Sequence, residues 1–128
     1  MTMTEVKQLY ELPREPVGDA YLCDEVLRFH SYRDGVWYRR AIRFKNVAAT
    51  RTRVERCANI WDILGDFDGL VEVVNSPWRQ EVWNDTQANW RDHWEMHHYA
   101  IDIEGSFEVI AASWELLPDE PGKWHETI

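Results

Sequence analysis

The sequence predicts an α+β fold in one domain over residues 1–128, and three patterns lead to this expectation. Two stretches of alternating apolar and polar residues, about 25–46 and about 94–117, each contain a turn-forming glycine, which is typical of an antiparallel hairpin. Between them, Ser76-Pro77 has the chemistry of a helix start. The length of 128 residues is usual for a single domain. We therefore expect an antiparallel sheet of two hairpins with extra strands and one helix.

The first hairpin is expected to turn at Asp34-Gly35, a pair that tolerates the positive φ angles of a two-residue turn. Its second strand alternates apolar and mostly basic residues, with Arg40 interrupting the apolar face. Residues 1–20 contain two prolines and a glycine and are expected to form an irregular arm. Residues 47–56 favour extended chain, either as a bent continuation of the hairpin or as a third strand.

The second half of the chain supplies the helix and the other hairpin. A short Val-rich run at 70–74 is assigned to a strand. The helix should begin at Pro77 and extend to about residue 85 or 90. The second hairpin is expected to turn at Gly105-Ser106, where glycine comes first in the turn. A polar C-terminal tail over 118–128 should follow it.

Cellular compartment is indicated by what the sequence lacks. No apolar run approaches the roughly 18 residues that a membrane-spanning helix needs. The first residues do not show the basic segment and apolar stretch of a signal peptide. Cys23 and Cys57 have the spacing of neither a zinc site nor a dithiol motif. We therefore expect a soluble, cytoplasmic protein with two reduced, buried thiols.

The net charge of −9 is unevenly distributed along the chain. Residues 28–56 contain nine basic side chains against two acidic ones, whereas residues 57–128 contain fifteen acidic side chains against three basic ones. Basic strands lying beside acidic ones would compensate each other within the fold. The alternative is an acidic face directed at a basic partner. The overall negative charge argues against nucleic acid and anionic membranes as partners.

Two clusters have a partial likeness to metal sites. On a strand, His93, Glu95 and His97 would project from one face as a two-histidine, one-carboxylate set, but their order is not that of a helical zinc site. The loop around Asp66 and Asp68 lacks the alternating oxygen ligands of a calcium loop. No glycine-rich phosphate loop or nucleophile turn is present in the sequence. We therefore expect no metal, no cofactor and no catalytic residue.

Tryptophan is unusually frequent for a chain of this size, with eight residues among 128. Trp83 and Trp90 lie close to acidic residues in sequence, and exposed tryptophan beside charge is typical of a protein–protein hot spot. The residues predicted to bind a partner are Asp62, Asp66, Asp68, Trp83, Asp85, Trp90 and Asp92.

The segment His97–Ala111 contains a histidine-bearing strand, an acidic turn and the strand Phe-Glu-Val-Ile-Ala. In this hairpin the chain resembles small bacterial proteins of toxin-immunity type. The resemblance implies a protein that acts by binding another protein. It covers the hairpin alone and carries no catalytic or binding residue over to this sequence.

Small size, acidity and surplus aromatic residues together favour a cytoplasmic inhibitor that binds a basic protein partner. The most specific form of this hypothesis is an immunity protein that neutralises a basic toxin enzyme, acting as a monomer or homodimer. One alternative is a small-molecule-binding protein or minor enzyme whose pocket is lined by tryptophan and histidine. Another is a structural subunit of a homo-oligomer.

Overall fold

The computed structural model describes residues 5–54, 68–85 and 95–124, and these residues form ten β-strands and one α-helix. The strands are β1 (Val6–Glu11), β2 (Val17–Cys23), β3 (Val26–Arg33), β4 (Val36–Lys45), β5 (Ala49–Val54), β6 (Gly69–Val73), β7 (His97–Asp102), β8 (Gly105–Ala111), β9 (Ser113–Leu116) and β10 (Glu120–Pro121). The helix, α1, is Pro77–Asp85.

The strands form two antiparallel sheets. Sheet A has the order β1-β6-β7-β8-β5, and sheet B has the order β10-β4-β3-β2, with β9 also paired to β4. Both β9 and β10 follow β8 in the chain, so the C-terminal segment crosses from sheet A to an edge of β4 in sheet B. The crossing joins the two sheets covalently close to their shared core.

The hydrophobic core lies between the sheets. Sheet B contributes Leu27, Phe29, Ile42 and Phe44, and sheet A contributes Leu70, Tyr99, Ile101 and Val109. The Phe44 and Tyr99 rings meet across the interface with their centroids 5.6 Å apart. Burying each large apolar side chain stabilises the fold by roughly 1.5–3 kcal/mol, so this layer is the main source of stability.

The predicted α+β class is wrong, because the described chain is almost entirely β and contains one short helix. The expected irregular arm over 1–20 instead contains β1 and most of β2. Pro13 and Pro16 lie in the link between these strands, where no ladder N–H is required. Gly18 lies at a register shift within β2, the outermost described strand of sheet B. The three breakers therefore delimit or bend strands without preventing them.

The first hairpin is confirmed. Strands β3 and β4 pair from Arg33↔Val36 onward, around Asp34 and Gly35 with φ angles of 52° and 81°. Two consecutive positive φ values match the turn type that follows the twist of a two-stranded ribbon. The continuation of this hairpin is also extended, but as β5 it belongs to sheet A.

The second hairpin forms with a different turn and a different end. Asp102 pairs with Ser106, so the loop is Ile103–Gly105 and not the predicted Gly105-Ser106. Glu104 and Gly105 provide the positive φ angles of this loop. The strand expected to continue to 117 ends at Ala111, and β9 then pairs in sheet B. The predicted hairpin is therefore right in kind and wrong in register.

The helix begins where the sequence predicts. Ser76 Oγ accepts a hydrogen bond from the Arg79 backbone N–H at 2.9 Å, which is the geometry of an N-cap. The described helix ends at Asp85, and the predicted continuation toward residue 90 lies outside the described residues. No residue of α1 is fully buried, although Trp78 and Trp83 are half-buried.

The tail over 118–128 is not simply polar and irregular, because it contains β10 and docks through Trp124. The Trp124 indole N–H lies 3.1 Å from both the Phe29 and Arg40 carbonyl oxygens. Its backbone N–H donates to His30 Nε2 at 3.0 Å. These bonds hold the end of the described chain on the outer face of sheet B.

Two further expectations can be compared with the structure. Cys23 is exposed, so the expectation of two buried thiols is wrong for this residue, and Cys57 lies outside the described residues. Cys23 is exposed because it ends β2 beside a tight turn at the surface. Within the ranges that the structure describes, no helix has the length and apolar character to cross a bilayer.

Candidate functional site

Four acidic residues, Glu11, Asp68, Asp102 and Glu104, lie at one end of sheet A, and Asp19 on β2 of sheet B is joined to Glu104. We call these five residues the acidic end. Glu11 closes β1 opposite Gly69, and Asp68 immediately precedes Gly69 in the chain. The Asp68 carbonyl accepts the Leu12 N–H at 3.0 Å, which fixes the two chain segments together. Asp102 and Glu104 lie at the β7–β8 turn, at the same end of the neighbouring strands.

The turn geometry holds two of these carboxylates in place. Asp102 Oδ1 accepts the Gly105 backbone N–H at 3.1 Å, which caps the turn. Glu104 Oε2 accepts the Asp19 backbone N–H at 3.4 Å, and this contact joins sheet A to β2 of sheet B. A Cβ atom on Gly18 would lie 2.5 Å from Glu104 Oε1, so a larger residue at position 18 would displace the Glu104 carboxylate from this contact. Arg53, which is exposed on β5 opposite Ser106, is a basic neighbour of the acidic end.

The basic residues of the 28–56 stretch are mostly compensated elsewhere in the fold. Their ion pairs are Arg33 and Arg40 with Glu15 and Asp119, Arg39 with Glu120, Arg43 with Glu115, and Arg51 with Glu108. The acidic partners come from the β1–β2 link, β8 and the C-terminal segment. Basic and acidic strands therefore neutralise each other, and the pairs use carboxylates other than those of the acidic end.

A buried polar network lies beneath α1, on the face of sheet A that is turned away from sheet B. Ser76 Oγ is 2.6 Å from His98 Nδ1, and His98 Nε2 is 2.8 Å from Glu108 Oε1. Arg51 forms a two-point pair with the same carboxylate at 2.8 and 2.9 Å. Burial alone would raise the pKa of Glu108, but hydrogen bonds from His98 and Arg51 lower it to about 2.

The order hydroxyl, imidazole, carboxylate also occurs in hydrolytic triads. Here Ser76 is only 4% exposed and its oxygen already accepts the Arg79 N–H as the helix cap. Both ring nitrogens of His98 are engaged, Nδ1 with Ser76 Oγ and Nε2 with Glu108 Oε1. The Trp78 ring covers both His98, at 5.0 Å between centroids, and the Arg51 guanidinium, at 4.2 Å. The arrangement fixes the start of α1 to sheet A, and the described residues cover the Ser76 hydroxyl almost completely.

The possible metal set of the sequence is used differently in the structure. His97 Nδ1 lies 2.7 Å from Glu72 Oε2, and His97 Nε2 lies 3.0 Å from Glu95 Oε1. The two ring nitrogens point in opposite directions, so Glu72 and Glu95 do not converge on one ion. Burial lowers the pKa of His97, but its hydrogen bonds to the Glu72 and Glu95 carboxylates raise the pKa above its usual value overall. The described residues contain no group suited to hold a metal, and His93 lies outside them.

The predicted partner-binding residues are only partly placed. Asp62, Asp66, Trp90 and Asp92 lie outside the described residues. Asp68 is exposed at the acidic end. Trp83 and Asp85 are on α1, which begins at the other end of β6, a strand roughly 16 Å long at the usual rise of about 3.3 Å per residue. The structure therefore gathers Asp68 with carboxylates that the sequence pattern did not select.

The acidic end was missed because its members come from four separate segments of the chain. The signal available in the sequence was the acidic turn around Asp102 and Glu104, which belongs to the hairpin that resembles toxin-immunity proteins. No family model, curated protein or solved structure matches this chain. The functional argument therefore rests on the geometry of the site.

Proposed function

We propose that this chain is a binding protein that inhibits a basic protein partner, with the acidic end as its contact surface. The observation that supports the proposal is that Glu11, Asp68, Asp102 and Glu104 lie at one end of sheet A, with Asp19 of sheet B joined to Glu104. Within the described residues, no ion pair joins Glu11, Asp68 or Glu104 to a basic side chain. A surface of this kind accelerates the encounter with a positively charged protein.

The pairing of arginines with carboxylates of the same chain explains why the acidic end should dominate the electrostatic field of the molecule. Five arginines of the basic stretch are held by carboxylates of the same chain. The net charge of −9 is therefore expressed by carboxylates outside those pairs. A basic enzyme, such as a toxin that itself binds a polyanion, would present the complementary surface. An immunity protein acting in the cytoplasm is the specific form of this proposal, and the resembling hairpin contributes Asp102 and Glu104 to the surface.

The proposal is tested by kinetics on a partner captured from the native host. The immobilised chain is used for affinity purification, and the captured protein is identified by mass spectrometry. A variant with Glu11→Gln, Asp68→Asn and Glu104→Gln should then associate about ten-fold more slowly at low salt, because exposed charges act mainly through steering. The difference should shrink as salt is added, since screening acts over about 10 Å at 0.1 M.

The matched control removes the same charge at other places. Glu5, Asp34 and Glu81 are exposed, and the triple change to Gln, Asn and Gln alters the net charge equally. An equal slowing by the control would mean that net charge, and not the acidic end, attracts the partner. Capture of a partner without a basic surface would refute the proposal altogether.

A further inference from the structure

A cleft of about 280 Å³ opens between the β2–β3 turn and strand β5. Leu22, Val47 and Val109 form its apolar lining, and the hydroxyl-bearing side chains of Thr50 and Thr52 line the side made by β5. Thr50 pairs with Val109, so both threonines project from the face of sheet A that elsewhere packs on the core. The cleft is thus the place where sheet B stops covering that face.

The other side of the cleft is a tight acidic turn. Cys23 pairs with Val26, which leaves Asp24 and Glu25 as a two-residue turn with φ angles of 52° and 65°. Cys23, Asp24 and Glu25 all belong to the lining of the cleft. The Glu25 carbonyl accepts the Phe44 N–H at 2.9 Å, which holds the turn against β4.

The neighbouring basic groups do not neutralise this turn. Arg28 Nη1 donates to the Cys23 carbonyl at 3.0 Å, but the Arg28 side chain lies on the outer face of sheet B, where it stacks over the Trp124 ring. Arg43 is engaged by Glu115, and Arg51 is engaged by Glu108 on the far face of sheet A. Within the described residues, no ion pair joins Asp24 or Glu25 to a basic side chain. The cleft therefore combines an apolar wall with two available carboxylates.

We propose that the cleft receives one arginine or lysine side chain of the basic partner. A long basic side chain has an aliphatic stem and a cationic head, and such chains bury the stem against apolar surface while the head remains in a polar setting. The stem would lie against Leu22, Val47 and Val109, and the head would reach Asp24 and Glu25. A volume of 280 Å³ is just below the roughly 300–1,000 Å³ of pockets for drug-sized ligands, which suits a single side chain.

This inference rests on the proposed function for the identity of the partner, but its test needs no partner. Cys23 is exposed and lines the cleft beside Asp24 and Glu25, so the rate at which iodoacetamide alkylates its thiol is used to follow occupancy. The tryptic peptide Glu15–Arg28 contains Cys23 and no other cysteine, so mass spectrometry follows this thiol alone. The probe is n-butylguanidinium, which carries the stem and head of arginine.

The expected result is a several-fold slower alkylation of Cys23 in the presence of n-butylguanidinium. Butanol and butyrate at equal concentration should protect weakly or not at all, because they share the stem but lack the cationic head. The double variant Asp24→Asn, Glu25→Gln should lose the protection. Asp34→Asn, which neutralises the corresponding turn of the β3–β4 hairpin, should keep it. Each rate is compared with and without probe in the same variant, because removing a carboxylate also changes the reactivity of a nearby thiol.

Equal protection by butanol and the cation would overturn the proposal, because the cleft would then be a purely apolar groove. Absence of protection by any probe would also overturn it. Amide chemical shifts of Thr50 and Thr52 in the unmodified chain give a second readout that does not depend on a variant folding. Failure of this test with a partner still steered by the acidic end would refute the cleft and leave the proposed function intact.

Discussion

Two arginine–carboxylate pairs that bridge neighbouring strands differ in their surroundings. The Arg51–Glu108 pair lies under α1 with a carboxylate that is 3% exposed, whereas the Arg43–Glu115 pair lies on the surface of sheet B with a carboxylate that is 35% exposed. In both, hydrogen bonds donated by the arginine contribute to a lowered carboxylate pKa. The buried carboxylate also accepts from His98, while the exposed one retains access to water. The same kind of ion pair therefore holds buried structure together at Arg51–Glu108 and balances surface charge at Arg43–Glu115.

The difference teaches that pairing and stabilisation are separate properties. A buried carboxylate has lost its hydration, so every partner that it keeps is needed to offset that cost. An exposed pair gains little, because water and salt replace the partner when it is removed. The acidic end differs from both pairs, since Glu11, Asp68 and Glu104 are exposed and, within the described residues, no ion pair joins them to a basic side chain.

The largest expected effect follows from removing the buried carboxylate. Glu108→Ala should lower the free energy of unfolding by about 3 kcal/mol, near the lower end of the range for a broken buried pair because Arg51 is 36% exposed. The loss should be visible in urea unfolding at neutral pH, followed by the combined fluorescence of the eight tryptophans. Glu115→Ala is the matched control on the surface. Equal destabilisation by the two changes would contradict the distinction between the regions.

A smaller effect, of similar origin, should appear as a pH dependence. The pKa of Glu108 is lowered from 4.5 to about 2 in the folded chain, so its contribution is complete above the unfolded pKa and is lost as pH falls toward 2. The shift corresponds to at most about 3 kcal/mol over this window. Unfolding free energies of the native chain and of Glu108→Gln, measured at several pH values between neutral and 3, should therefore converge in acid. Parallel curves would show that Glu108 does not titrate in this way.

The same regions show how much of the molecule could be predicted from the sequence. The turn at Asp34-Gly35 and the helix start at Ser76 were predicted correctly, because each depends on chemistry within a few neighbouring residues. Arg40 was correctly recognised as interrupting an apolar face, although its partners Glu15 and Asp119 come from distant segments. Local rules identified such positions, and only the assembled sheets supplied their partners.

The buried network was missed for a specific reason. A turn at Gly105-Ser106 would place His98 and Glu108 on opposite faces of the hairpin, whereas the observed pairing of Asp102 with Ser106 places them on one face. Because side chains alternate between faces, an odd shift in register exchanges the two faces of a strand. Asp68, which the sequence pattern selected, is exposed, but its neighbours at the acidic end depend on the pairing of β1 with β6.

The smallest expected effect concerns the exposed Arg43–Glu115 pair, and it tests the comparison with the buried Arg51–Glu108 pair. Glu115→Gln should leave the thermal midpoint almost unchanged, because Arg43 and Lys45 remain hydrated on the surface of sheet B. Any small change at low salt should vanish at about 1 M salt, where screening acts over about 3 Å. The change should instead appear in the surface field, since it releases positive charge on β4 and weakens the attraction of a basic partner. Association of the captured partner with Glu115→Gln should therefore slow slightly at low salt while unfolding stays constant. A clear loss of stability of the Glu115→Gln variant at high salt would contradict this prediction. It would show that Glu115, like Glu108, stabilises the fold and does more than balance the surface charge of sheet B.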